Sequence, residues 1–293
     1  MNTPKPNLDT PRGFAFALAA YLLWGFLPLY MKALSHVPVA EVIAHRVVWS
    51  VPVAGAVLVW LGRTAELRAA LRTPRMLGMG AVTAALITVN WGIYVWAIQS
   101  GHALEAALGY YINPLFSVFL GAVLLKERLS VAQWAAIGLA VLAVLVLTVE
   151  AGQVPVVALG LTLSWGAYAY FKKMLPIGPN QGFMLEVLIL SPFALGYLLW
   201  RGTEGAVFTA DALTITLLLA AGIVTAVPLM LYANGAKLLK LSTIGILQYT
   251  APTMIFLTAV FLFDEPFGFA RAIAFPMIWA ALAIYTLALF RGK

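Results

Sequence analysis

Two stretches of the chain decide the fold, ALGYYINPLFSVFLGAVLLKER (107–128) and GILQYTAPTMIFLTAVFLFDEP (245–266). A shift of 138 positions superimposes a tyrosine, a proline and a glutamate of the first stretch on the same residue types of the second: Tyr111 on Tyr249, Pro114 on Pro252 and Glu127 on Glu265. The first stretch closes on a net positive charge and the second on a net negative one. The chain therefore contains an internal repeat of one apolar segment, and the two copies have opposite flanking charges.

The composition is that of a protein embedded in a membrane. Of the 293 residues, 63% are hydrophobic and only 10% are charged, whereas soluble domains carry about 25% charged residues. A helix needs about 20 apolar residues to cross the hydrocarbon core of a bilayer, and the chain has ten blocks near that length. The blocks are 13–31, 39–61, 76–98, 103–125, 131–149, 154–171, 182–200, 212–233, 242–263 and 268–290. We predict an all-α integral membrane protein with ten transmembrane helices.

The basic residues predict the orientation of these helices. With the N-terminus in the cytoplasm, fourteen of the eighteen Lys and Arg residues fall in the tail, in the loops of that side and at the C-terminus. Because cytoplasmic loops carry an excess of Lys and Arg, both termini are predicted to be cytoplasmic. The basic residues form neither a run nor a patch interleaved with aromatic residues, so we expect no nucleic-acid partner.

A second pair of segments shows how far the duplication extends. Residues 17–34, ALAAYLLWGFLPLYMKAL, and residues 158–175, ALGLTLSWGAYAYFKKML, share seven of eighteen positions at a shift of 141. We predict a cytoplasmic tail (1–12), a first repeat of five helices (13–150) and a second repeat of five helices (151–293). Since five is odd, the second repeat enters the membrane from the opposite side. Two such inverted copies can expose a central site to each compartment in turn, although channels are also built this way.

Polar and aromatic residues inside the apolar blocks indicate a path through the bundle, because they are costly when they face lipid. The predicted substrate-binding residues are Trp24, His45, Asn90, Trp91, Tyr94, Tyr111, Trp165, Asn234, Gln248 and Tyr249. A cavity with aromatic walls and amide or hydroxyl groups suits a small organic solute with an apolar body and a polar head. No carboxylate cluster is present that would suit a hydrated metal ion, so we expect no metal site and no cofactor.

Two carboxylates and two prolines have competing interpretations. Glu41 and Glu186 are candidate coupling residues, but Glu41 also lies near a helix N-terminus, where the macrodipole favours a negative charge. Arg46, beside His45, would in the simpler interpretation extend to the membrane surface. Pro114 and Pro252 are candidate hinges, and the alternative is that each makes a static bend.

The chain lacks the sequence motifs of several other protein classes. There is no G-x-x-x-x-G-K-[ST] loop, no H-E-x-x-H and no G-x-S-x-G. Cysteine is absent, which excludes disulfides and thiolate chemistry. An intramembrane enzyme is the alternative from a different class, and Glu41 with His45 is its only candidate pair. We therefore expect that the protein is not an enzyme.

Several motifs carry a resemblance to a known family. AEVIAHRVVWS (40–50), NWGIYVWAIQSGHALEAALGYYINPL (90–115), LLKERLS (124–130) and STIGILQYTAP (242–252) resemble the RarD-like permease branch of the drug/metabolite transporter superfamily, with its paired EamA-type repeats. The resemblance implies a multi-pass secondary carrier of the inner membrane that exports small amphiphilic metabolites, above all neutral and aromatic amino acids. The alternative is a permease of the same architecture for drugs such as chloramphenicol or for other metabolites. The expected partners are a small-molecule substrate and the lipid bilayer, with the chain as a monomer or homodimer.

Overall fold

The computed structural model describes residues 10–124, 129–152, 154–236, 238–239, 243 and 247–291, and all regular structure in these ranges is helical. The helices are α1 (Pro11–Ala33), α2 (Val39–Trp60), α3 (Thr64–Leu71), α4 (Pro74–Gln99), α5 (Ala103–Leu124), α6 (Val131–Ala151), α7 (Val156–Met174), α8 (Pro179–Arg201), α9 (Ala206–Thr209), α10 (Ala212–Ala236), α11 (Thr250–Phe261) and α12 (Phe269–Arg291). Most of the predicted cytoplasmic tail, and Glu127 with its two basic neighbours, lie outside the described residues.

The helices are those of a multi-pass membrane protein. Within the described ranges, seven stretches are long and apolar enough to cross a bilayer, and they contain α1, α2, α4, α6, α8, α10 and α12. Each of the ten predicted blocks overlaps one helix other than the short α3 and α9. The total of ten membrane crossings remains a prediction.

Local sequence explains several helix ends. The side chain of Thr10 accepts a hydrogen bond from the backbone N–H of Gly13, which caps the start of α1. Ser130 and Gln133 form a reciprocal capping box at the start of α6. Gly152 ends α6 with a φ of 64°, a left-handed conformation that favours glycine.

The contacts between helices can be compared across the two predicted repeats. Helix α1 has α7 as its predicted counterpart, and α10 has α4. The contact of α1 with α10 therefore corresponds to the contact of α7 with α4, and both are present. In the same way, α2 on α10 corresponds to α8 on α4, and α5 on α7 corresponds to α11 on α1. Three further contacts join a helix to its own counterpart: α2 with α8, α5 with α11 and α6 with α12. An inverted duplication predicts this pattern of exchanged contacts.

Helices α6 and α12 lie at one side of the bundle. They pack mainly against each other, and α6 also contacts α5. The exposed surface of α6 is apolar and includes Val131, Trp134, Val141, Leu145 and Val149. Such a surface suits contact with lipid tails. The remaining long helices surround the centre of the molecule.

The two matched prolines lie in different settings. Helix α5 continues through Pro114 from Ala103 to Leu124. Pro252 instead lies in the first turn of α11, directly after a turn at Gln248 and Tyr249. A proline has no N–H for the carbonyl four residues earlier and its ring clashes with that group, which here belongs to Gln248. Pro114 therefore lies within a continuous helix, whereas Pro252 follows a turn, and the hinge role stays a prediction.

Candidate functional site

A cavity of about 130 Å³ lies at the centre of the bundle, between helices of both predicted repeats. Its aromatic walls are Tyr21, Trp24, Trp91, Tyr94, Tyr110, Trp165 and Tyr232. Its polar side chains are Arg46, Asn90, Asn113, Thr225 and Gln248. The cavity thus combines flat apolar surfaces with a small number of polar groups, as ligand sites generally do.

Arg46 is the one charged side chain among the described residues that line this cavity. It projects from α2 with only 4% of its surface exposed. Its Nε donates to Thr225 Oγ1 of α10 at 2.9 Å, and its guanidinium lies 4.6 Å from the ring centroid of Trp91 on α4. The simpler interpretation, in which Arg46 extends to the membrane surface, is therefore wrong, because the side chain is buried against the cavity. A cation held at this depth is costly and marks a functional site by default.

Asn90 on α4 fixes another part of the cavity wall. Its Nδ2 donates to Leu161 O at 3.2 Å and to Ser164 Oγ at 2.9 Å, which joins α4 to α7. Its Oδ1 accepts from the hydroxyl of Tyr110 at 3.4 Å. The Tyr110 ring meets Trp165 edge to face, with 6.5 Å between centroids. These contacts orient two aromatic walls with one amide.

A second aromatic group covers another side of the cavity. Tyr21, Trp24 and Tyr232 contact one another with centroid separations of 5.6 to 5.8 Å. Trp24 and Trp165, which the repeat places at matching positions of α1 and α7, both line the cavity. The two predicted repeats therefore each contribute one tryptophan to the same cavity.

Three polar atoms of the cavity are buried and lack a hydrogen-bond partner among the described residues: Arg46 Nη1, Tyr94 Oη and Asn113 Oδ1. Their residues are 4%, 3% and 6% exposed. Buried polar atoms in proteins are nearly always hydrogen-bonded to protein or water. A polar solute in the cavity would have two donors and one acceptor available to it.

The structure brings together six of the ten predicted substrate-binding residues: Trp24, Asn90, Trp91, Tyr94, Trp165 and Gln248. The other four are directed elsewhere. His45 Nδ1 accepts from Trp49 Nε1 of its own helix, and Asn234 donates to the carbonyl of Met230. Tyr111 packs against α12 and its hydroxyl bonds Thr253 at 2.7 Å, while Tyr249 packs against the core beside the cavity.

Glu41 and Glu186 are both buried, but neither lines the central cavity. Glu41 accepts a hydrogen bond from the backbone N–H of Ala206 and lies 3.5 Å from Arg201 Nε. Glu186 forms an ion pair of 2.6 Å with Lys172 and accepts from the hydroxyl of Tyr168 at 3.3 Å. The first carboxylate joins α2 to the segment before α10, and the second joins α8 to α7.

A larger cavity of about 430 Å³ adjoins the central one. The two cavities share Trp165, Leu229 and Tyr232. The larger one is also lined by Lys172 near the end of α7 and by Asn180 near the start of α8. In the predicted orientation, these helix ends lie on the cytoplasmic side.

Comparisons with known proteins agree with this architecture. The profile of the EamA-like transporter family matches residues 11–149. Protein RarD of Streptomyces exfoliatus is 43% identical over 284 residues, which cover 96% of this chain and 90% of that protein. The chain belongs to the EamA-like transporter family. Within the drug/metabolite transporter superfamily it lies in the RarD-like branch, and it is therefore a multi-pass membrane transporter.

Further relatives extend the same conclusion. A Bacillus subtilis protein named as the uncharacterized transporter YojE is 39% identical, with 98% of this chain and 97% of that protein covered. The chloramphenicol-sensitive protein RarD of Pseudomonas aeruginosa is 32% identical, with 93% of each covered. A crystal structure of a protein that is 22% identical shares the fold, with a TM-score of 0.64 over 94% of this chain and 97% of that one.

Proposed function

We propose that this family member exports small amphiphilic metabolites, most of all neutral and aromatic amino acids, by alternating access through the central cavity. The observation that carries the proposal is the cavity itself, which places aromatic walls and buried polar atoms from both predicted repeats around one space. We place the transporter in the inner membrane with both termini in the cytoplasm, as a monomer or homodimer. Transport rather than catalysis is its activity.

Hydrogen bonds on the predicted outer side support alternating access. His36 of the α1–α2 loop contacts Thr214 of α10 at 2.9 Å, and the hydroxyl of Tyr30 bonds the carbonyl of Leu217. Glu265 accepts from the backbone N–H groups of Ala103 and Leu104 at the start of α5, at 2.6 and 2.9 Å. Each of these bonds joins one predicted repeat to the other. They would have to break for the central cavity to open outward.

The larger cavity supports a path on the other side. It meets the central cavity at Trp165 and Tyr232 and lies towards the predicted cytoplasmic ends of α7, α8 and α10. A state that is closed outside and accessible from the cytoplasm is the state in which an exporter takes up its substrate. Glu186, beside this path, and Glu41, beneath the outer contacts, remain candidates for proton coupling.

A drug permease is the second candidate. It is favoured by the Pseudomonas aeruginosa relative that is named for chloramphenicol sensitivity. The enzyme alternative has little support, because Glu41 is bound to Ala206 N and His45 to Trp49. A transported drug and a transported amino acid would both use the aromatic walls, so transport assays must separate them.

The test uses purified protein in liposomes loaded either with a mixture of labelled amino acids or with labelled chloramphenicol. We expect saturable efflux that is selective for the side chain, and we expect Trp165→Ala in the cavity wall to lower its rate about tenfold, which corresponds to the loss of about 1.4 kcal/mol of binding. Trp200→Ala is the matched control, because this tryptophan is 78% exposed and does not line the cavity. Efflux of chloramphenicol but of no amino acid would favour the drug permease, and no transport of either would reject both.

A further inference from the structure

The most informative feature of the cavity is a cation without a counterion. Arg46 is buried at its wall, and none of the ion pairs in the described ranges includes it. The carboxylates that lie within the bundle are used elsewhere: Glu41 at Ala206 N, Glu186 at Lys172 and Glu265 at the start of α5. A buried charge is ordinarily paired, because an isolated one is expensive in a medium of low dielectric constant.

The remaining contacts of Arg46 orient it but do not neutralise it. Thr225 Oγ1 accepts from Nε, and the ring of Trp91 lies against the guanidinium face. Neither contact provides a hydrogen-bond acceptor for Nη1, which has no partner in the described part of the chain. Ser50 Oγ donates to the Arg46 carbonyl at 2.6 Å on the helix itself. The guanidinium is therefore held in place with one of its terminal nitrogens free.

The chemistry of a guanidinium selects the missing partner. Its planar set of N–H donors matches the two oxygens of a carboxylate, and such charge-assisted bonds are stronger than neutral ones. One fixed cation balances one negative charge, so a monoanion fits the cavity better than a dianion such as a phosphate monoester. A solute with a net positive charge would meet repulsion at the same place.

We propose that Arg46 is the substrate-binding residue that recognises a carboxylate, so that the transported solutes are monocarboxylates with an aromatic or aliphatic body. This inference rests on the proposed transport function and narrows its substrate class. The free hydroxyl of Tyr94 provides a second donor for the carboxylate, and Asn113 Oδ1 provides an acceptor suited to the ammonium group of an amino acid. Trp24, Trp165 and Tyr232 receive the apolar body.

The experiment compares two pairs of solutes, and the members of each pair differ only in that one has a carboxylate and the other an amide. Liposomes with the wild-type transporter, Arg46→Gln, Arg46→Lys or the control Arg63→Gln are loaded with labelled phenylalanine, phenylalaninamide, 3-phenylpropanoate or 3-phenylpropanamide. Arg63 is exposed after the end of α2 and does not line the cavity. We expect the wild-type protein and Arg63→Gln to prefer each acid over its amide. Arg46→Gln should lower acid transport by about 50-fold or more and should not lower amide transport, because only the acid loses a buried charge partner.

A binding measurement separates this inference from the proposed transport function. Thermal unfolding of the purified protein is followed with each of the four compounds, and we expect the acids to raise the Tm of the wild-type protein but not that of Arg46→Gln. Acid binding of this kind without any transport would reject the transport function while supporting the role of Arg46. Equal preference for acid over amide in the wild-type protein and in Arg46→Gln, or no effect of any acid on the wild-type Tm, would overturn the inference.

Discussion

Helices α2 and α8 have the same position in the two predicted repeats but carry different chemistry. They pack against each other, and the further helix that each contacts most extensively is α10 for α2 and α4 for α8. At the shift of 141 positions, His45 corresponds to Glu186 and Arg46 to Val187. Helix α2 thus presents an unpaired cation to the central cavity, whereas α8 carries a carboxylate paired with Lys172. A duplicated fold can keep its packing while each copy takes a different role.

The two crossings differ in how closely the backbones approach, and this gives the largest expected effect. A Cβ atom at Gly222 of α10 would lie 2.1 Å from backbone atoms of Trp49 on α2. A Cβ atom at Gly80 of α4 would lie 2.9 Å from Leu185 Cδ2 on α8, at the end of a flexible side chain. We expect Gly222→Ala to lower the free energy of unfolding by about 3 kcal/mol or more, and Gly80→Ala by about 1 kcal/mol.

Thermal unfolding of the purified variants measures this difference. Gly78→Ala serves as the control, because nothing lies within 4 Å of the added Cβ atom on the same helix as Gly80. If Gly222→Ala unfolded at the same temperature as Gly80→Ala, the close backbone contact of α2 with α10 would not be present in the folded protein.

Much of the fold follows from the sequence because membrane helices need long apolar blocks. The blocks predict where helices lie, and the repeated segments predict which helices correspond. The helix ends were predicted less accurately than the helices themselves. The first block begins at residue 13, whereas α1 begins at Pro11 after its Thr10 cap. The ninth block begins at residue 242, but α11 as described begins at Thr250, beyond the turn that precedes Pro252.

The direction of individual side chains could not be predicted from these blocks. Successive residues of a helix point about 100° apart, so Tyr110 lines the cavity while Tyr111 faces α12. The same rotation directs Arg46 into the cavity and His45 towards Trp49. A helix that is apolar on all sides carries no pattern that identifies its inner face. On α2, the charge of Arg46 inside an apolar block was a signal that could have identified the inner face.

The ion pair of α8 provides the next test of the comparison. Glu186→Gln would leave Lys172 without its carboxylate, and because that lysine is 20% exposed we expect a loss of about 2 kcal/mol rather than the full cost of a buried cation. Adding Lys172→Met should restore part of the lost stability, since the unpaired charge is then removed. On α2, Arg46 forms no ion pair with a carboxylate of the described ranges. We therefore expect the Tm of the Arg46→Gln variant to equal that of the wild-type protein.

Unfolding of these three variants and of the wild-type protein in the same lipid or detergent tests the comparison. A Tm for the double variant equal to that of Glu186→Gln would show that the loss comes from packing and not from charge. A marked fall in Tm for Arg46→Gln would show that Arg46 stabilises the fold, and the contrast between α2 and α8 would then be lost.

The smallest expected effect is that of Glu41→Gln; the counterpart of Glu41 on α8 at the same shift is Gly182. The carboxylate accepts from Ala206 N and lies 3.5 Å from the partly exposed Arg201. Glu41→Gln keeps an acceptor for the N–H, so we expect a loss of about 1 kcal/mol or less from the weakened ion pair. Glu41→Ala removes the acceptor as well and should cost about 1 to 3 kcal/mol. Equal Tm values for the two variants would mean that the N–H of Ala206 is satisfied without Glu41. Proton coupling through Glu41 is checked separately, because Glu41→Gln should then abolish the response of efflux to a pH gradient while leaving the Tm nearly unchanged.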